Sequence, residues 1–352
     1  MHKTIFSIKN RLENSFGIWR FHQYIQYFLG DIGLVLSRKN IWTYKDFLFW
    51  RKKTYHSKDQ IPTTYYVIRR RSGHKKLEGS QNMGICGWMM FTLGDIAYAL
   101  KNNFVPVIDM MTYSNSYLMP DDVNKYNAWE FFFKPVIPYN LKKLRANGNV
   151  IISTGILESE MPSYDVLMDS DWEHLNLKQW RNLTTLYMEP QESIQQNAKK
   201  FLDQYHFSEH KTLGVLCRGT DFVTEKPHGH PIQPDIATVI HDVENAMFKY
   251  GFTQIYLATE DFDIYYQFKS HFKNKVITYS APNVKYERGP YLKNVYHTTE
   301  YLKQNGLNYL TSIWIMSKCN GIVGGITSGT LAALLFGNNF EYVFYYREGY
   351  YD

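Results

Sequence analysis

Two periodicities alternate through the second half of this chain. Short apolar runs recur at residues 212–217, 254–258, 275–278, 321–323 and 341–345, the pattern of strands buried on both faces. Between them, residues 235–250, 262–272, 307–318 and 328–336 carry apolar positions at helical spacing. Such alternation predicts a parallel sheet covered by helices on both sides. The first half holds the same unit once: a strand at 63–68, a flexible turn marked by Gly79, Gly84 and Gly87, a helix over 88–103 and a strand at 104–109. A further strand at 150–153 and a helix at 191–205 lead into the second half. The expected class is α/β, two Rossmann-like halves facing a central cleft.

The first 60 residues break this rhythm. Ile5, Ile8, Leu12, Phe16 and Trp19 recur near helical spacing, and Phe47, Phe49, Trp50, Arg51, Lys52 and Lys53 mix bases with aromatics. Residues 1–80 hold 16 Lys/Arg against 5 Asp/Glu, a net of +11 in a chain of net +6, which leaves the other 272 residues at −5. A basic aromatic helix of this kind lies on an anionic membrane surface or packs on the body of the protein, and both readings stand. No nucleic-acid-binding motif accompanies the charge, so nucleic acid is not expected as a partner.

Length divides the chain further. At 352 residues it exceeds one comfortable core. The boundaries read as a basic segment at 1–60, an α/β domain at 61–195 and a Rossmann-like domain at 196–352. Cys86, Cys217 and Cys319 are odd in number and have no paired spacing, which argues against a disulfide framework or a zinc site. No run of 18 uncharged apolar residues occurs and no secretory leader is read at the start. The expected location is cytoplasmic, with peripheral membrane contact through the basic segment.

Chemistry gathers at three predicted strand ends. The first is Arg218-Gly219-Thr220-Asp221, with Glu225 and His230-Pro231-Ile232 behind it; the second is Thr259-Glu260-Asp261; the third is Gly324-Gly325-Ile326-Thr327-Ser328-Gly329. A guanidinium at the mouth of a parallel sheet binds a phosphate through two hydrogen bonds, and a helix start rich in Gly, Ser and Thr offers N–H groups to phosphate oxygens. Together these point to a nucleotide-diphosphate site.

In order and spacing, the runs R-G-T-D-F-V-T-E…H-P-I, Y-L-A-T-E-D and S-K-C-N-G-I-V-G-G-I-T-S-G resemble the donor domain of α1,6-fucosyltransferases of the nodulation-factor and N-glycan-core type. The match covers residues 211–337. The resemblance implies a GT-B fold and an inverting transfer of fucose from GDP-fucose to a glycan acceptor, without a metal or other cofactor. By position it makes Arg218 the diphosphate ligand, Asp221 the residue that fixes the loop or the arginine, and Glu225 the general base. Thr220, Glu260, Asp261, Thr327, Ser328 and Gly329 complete the donor side. Leu216, Gly219 and Ser312 depart from the family, which has a histidine, often a second arginine, and an acid at those places. A transferase using another nucleotide sugar therefore stands as the alternative, with a non-catalytic glycan- or nucleotide-binding module as the alternative from another class.

On the acceptor side the candidates are Gly84, Gly87 and Trp129, the last within an aromatic segment that reads equally as a buried helix. Asp169-Ser170-Asp171 and Asp261-Phe262-Asp263 match the D-x-D that holds Mn²⁺ in another transferase class, but their context is poor and no metal is expected.

Overall fold

The computed structural model describes residues 53–55, 63–69, 83–113, 115–135, 144, 149–153, 160–175, 177–219, 223, 226, 228–280 and 298–352. The α/β class is found, built as two separate sheets. In the first, β1 (Lys53–Tyr55), β2 (Thr64–Ile68), β3 (Val105–Ile108) and β4 (Asn149–Ile152) lie in the order β1-β4-β2-β3. Strands β3 and β4 run parallel to β2, and β1 pairs antiparallel with β4 at the edge. The segment expected to be helical over 1–60 thus contributes a strand at 53–55, and its remaining residues lie outside those described.

Helix α1 (Ile85–Lys101) connects β2 to β3. It starts three residues earlier than the glycine pattern predicts, so Gly87 lies in its first turn and not in a loop. Gly84 is the N-cap and offers no side chain, and the Tyr117 hydroxyl takes the hydrogen bond of the Ile85 N–H instead. A single helical turn follows at Val166–Asp169, then α2 (Lys178–Tyr187) and α3 (Glu192–Gln204). The boundary expected between residues 195 and 196 falls inside α3.

The second sheet is wholly parallel. Its strands are β5 (Thr212–Leu216), β6 (Gln254–Ala258), β7 (Val276–Ile277), β8 (Gly321–Gly325) and β9 (Tyr342–Tyr346), in the order β7-β6-β5-β8-β9. Every residue of β5, β6 and β8 is buried, which is why their sequences read as continuous apolar runs. Between the strands run α4 (Ile236–Tyr250), α5 (Phe262–Phe272), α6 (Thr299–Met316) and α7 (Ser328–Phe336). Helix α6 begins eight residues before its apolar pattern becomes clear, capped by Thr298, whose hydroxyl accepts from the Tyr301 N–H.

The main core crosses from one sheet to the other. Ile85, Met89 and Leu93 of α1 join Leu310 and Ile313 of α6 and Leu331 and Leu334 of α7, each of them fully enclosed. Burial of each such side chain stabilises by about 1.5–3 kcal/mol. Gly306 lets α6 approach closely, since a Cβ there would lie 2.6 Å from the Phe132 ring and 2.7 Å from Tyr117. Among the described residues no helix is long and apolar enough to cross a membrane.

Candidate functional site

The three polar clusters meet at one edge of the second sheet. Leu216 pairs with Ala258 of β6 on one side and Gly324 of β8 on the other, so the carboxyl ends of β5, β6 and β8 stand level. Strand order reverses between β5 and β8, and such a switch point leaves a crevice beyond the strand ends. Into it the chain delivers Arg218 from β5, Glu260 from β6 and the turn Ile326–Ser328 from β8.

Glu260 organises the first two. Its Oε1 lies 3.6 Å from Arg218 Nε and accepts the Gly219 N–H at 3.2 Å. Arg218 and Glu260 side chains keep 29% and 42% exposure, so the pair is solvent-screened and serves orientation more than stability. Gly219 must be small, because a side chain there would collide with Asp261. Asp261 itself is the N-cap of α5: its Oδ1 accepts the N–H groups of Asp263 at 2.8 Å and Ile264 at 3.0 Å. The second D-x-D is therefore a helix start. In the first, Asp171 Oδ1 pairs with Arg347 Nη2 at 2.5 Å. Among the described residues no group of three His, Cys, Asp or Glu side chains stands together to hold a metal ion.

At the third strand end the N-cap of α7 is Thr327. The Thr327 hydroxyl accepts from the Thr330 N–H at 3.1 Å and is 6% exposed, which leaves half-buried Ser328 as the hydroxyl nearer solvent. Thr220, Asp221 and Glu225 lie outside the described residues.

Sequence reasoning missed the residues that join this edge to the first half. The Tyr309 hydroxyl on α6 is packed between the Cys86 thiol, in the first turn of α1, and Gly329 in α7, although Tyr309 as a whole keeps 36% exposure. Burial pushes the Cys86 thiol up to about 12, against the opposing pull of its hydrogen bond to Tyr309 and of the Arg218 charge. Burial likewise pushes the Tyr309 hydroxyl well up, with the Cys86 thiol adding to the shift and Arg218 opposing it. Arg218, Cys86, Tyr309 and Gly329 thus share one neighbourhood, and Gly84, two residues before Cys86, has open space where a Cβ would be. No local signal marks Tyr309 or Cys86, because their contact spans more than two hundred residues.

Trp129 is not available to stack a sugar. It is 2% exposed in a short 3-10 helix (Ala128–Phe131), and its ring packs 4.5 Å from that of Phe133. The aromatic segment is core, as its alternative reading allowed. The Ser312 hydroxyl is engaged by the second sheet: its Oγ lies 2.8 Å from the Tyr256 hydroxyl of β6.

No protein-family model matches the chain, and a search of curated proteins finds no match. Among solved structures the chain is similar to fucosyltransferases. A NodZ alpha-1,6-fucosyltransferase soaked with GDP-fucose is 15% identical, over 78% of this chain and 93% of that one, with a TM-score of 0.48. Fucosyltransferase NodZ from Bradyrhizobium is also 15% identical, over 77% and 92%, with a TM-score of 0.46. POFUT1 in complex with GDP is 10% identical, over 81% and 98%, with a TM-score of 0.42.

Proposed function

We propose that this protein is an inverting glycosyltransferase that moves fucose from GDP-fucose to a glycan acceptor, with no metal. The observation that carries the reading is the convergence of Arg218, Glu260 and the Thr327–Gly329 helix start on one carboxyl edge, at the switch point of a parallel sheet. Arg218 and the first N–H groups of α7 stabilise the charge that develops on the departing diphosphate. Glu225 accepts the proton of the attacking acceptor hydroxyl, on the strength of its place in the R-G-T-D-F-V-T-E run. The acceptor enters from the side of Gly84.

The setting that fits the sequence is assembly of a surface polysaccharide in the cytoplasm, with the basic segment at the membrane. A second reading, another nucleotide sugar as donor, is favoured by one observation: the position where the family places a guanine-contacting acid holds Ser312, and Tyr256 occupies its hydroxyl. Hydrolysis of a panel of nucleotide sugars tests both. Turnover of GDP-fucose above all others is expected; preference for a uridine or thymidine donor overturns the first reading, and no turnover of any donor leaves a binding module.

A further inference from the structure

The loop 228–233 follows the candidate base and leads into α4, and a distant piece of chain holds it from outside. Residues 349–351 run antiparallel to it, with Pro231 facing Tyr350. The Gly229 N–H donates to the Tyr351 carbonyl, the Tyr351 N–H to the His230 carbonyl and the Ile232 N–H to the Gly349 carbonyl, each at 2.9 Å. Gly229 and Gly349 take φ of +74° and +87°, which side chains with a Cβ adopt at a cost. The Tyr350 hydroxyl donates to Asp165 Oδ1 at 3.0 Å and anchors the tail to the segment before α2.

The loop passes this restraint inward. Gln233, 6% exposed, donates from Nε2 to the Pro231 carbonyl at 3.1 Å. Its Oε1 is buried and lies so close to Gly325 that any side chain there would collide with it. Gly325 in turn accepts through its carbonyl from the Thr330 hydroxyl at 2.6 Å. Tail, loop, Gln233 and the turn that starts α7 form one continuous chain of contacts.

We propose that residues 349–351 are a positioning strap for the donor site: they fix loop 228–233 and, through Gln233, the Gly325–Ser328 turn, without touching the donor. The inference rests on the donor-site reading above. Three paired backbone hydrogen bonds are what separates an ordered surface loop from one that opens locally, and phosphate-binding N–H groups act only when held in place.

Three variants of the full chain test it. Gly349→Ala strains the strap without a steric clash, since no atom lies within 4 Å of the site of its Cβ. Gly349→Asn tolerates positive φ and is the rescue. Gln233→Ala cuts the path at its inner end and keeps the proposal testable where Gly349→Ala fails to fold. The readouts are GDP affinity by calorimetry, donor KM and kcat, the melting temperature, and amide exchange at Gly229 and Ile232. Gly349→Ala and Gln233→Ala are expected to raise the GDP Kd and the donor KM about tenfold or more, with kcat and melting temperature little changed; Gly349→Asn restores most of the affinity. Faster exchange in the loop with an unchanged Kd overturns the strap's role and reduces it to local structure. Failure of the wild-type protein to bind GDP overturns the donor-site reading and the strap's donor role with it, whereas wild-type binding that the variants share overturns the strap alone.

Discussion

Gly329 and Tyr309 exclude one another's growth: a Cβ on residue 329 would lie 2.5 Å from the tyrosine hydroxyl oxygen. The first turn of α7 and the middle of α6 are fitted to each other there, beside Arg218. Gly329→Ala should therefore displace the Tyr309 hydroxyl and weaken GDP binding about tenfold, with overpacking costing about 1–3 kcal/mol of stability. Tyr309→Phe in the same chain should recover part of both losses. A double-mutant cycle on GDP affinity checks this, and strict additivity of the two changes would show that the contact does not matter to the site.

Arg218 should carry a large share of donor affinity. Arg218→Ala is expected to cost about 1.5–3 kcal/mol of GDP binding, and Arg218→Lys should not restore it, because lysine lacks the planar fork and cannot keep the geometry that Glu260 imposes on Nε. Calorimetric titration with GDP decides it. Unchanged affinity in the alanine variant removes the diphosphate role.

Glu225 should separate binding from chemistry. Glu225→Gln is expected to bind GDP as the wild type does and to lose transfer by roughly 10²-fold or more. Parallel falls in both quantities would make it a structural acid, and normal transfer would pass the role of base to Asp221.

Turnover should survive EDTA. Both acidic triplets are engaged elsewhere, Asp261 as a helix cap and Asp171 with Arg347, so neither is set up to receive a cation. Loss of activity in chelator with recovery on Mn²⁺ would reverse that reading.

Alkaline pH should destabilise the fold. The Cys86 thiol, ordinarily at 9.0, is pushed up to about 12 by burial, so between those values the unfolded chain has released a proton that the folded one retains. Stability is unaffected below pH 9 and falls above it, by roughly 1.4 kcal/mol per pH unit for this one group. Cys217 and Cys319 shift in the same direction for the same reason. Denaturant midpoints measured from pH 7.5 to 10.5 should drop across the upper half of the range, and Cys86→Ser should flatten the slope.

Much of the second half was legible from the chain alone. A strand buried on both faces has to be apolar throughout, so β5, β6 and β8 declare themselves, and the polar residues that follow each run mark the crevice. The start of α1 was not legible. The oxygen that takes its first N–H belongs to Tyr117, 32 residues after Ile85 in sequence, and the glycines near it read as a loop. Helix α6 hid its first two turns for a related reason: Gly306 faces Phe132 and Tyr117, so packing there depends on the absence of a side chain and leaves no apolar stripe to detect. Trp129 shows the limit of composition, since an aromatic cluster reads alike whether it lines a cleft or fills a core.

That seat for Gly306 also bears on how the protein is made. Phe132 and Tyr117 leave the ribosome about 170 residues ahead of the helix that covers them, and α1 likewise waits for α6 and α7. A nascent chain halted before residue 299 would hold an oily surface with nothing to close it, the sort of species that aggregates or recruits chaperones. The late helices complete the early half, so that half should acquire its native form only once α6 and α7 have been synthesised.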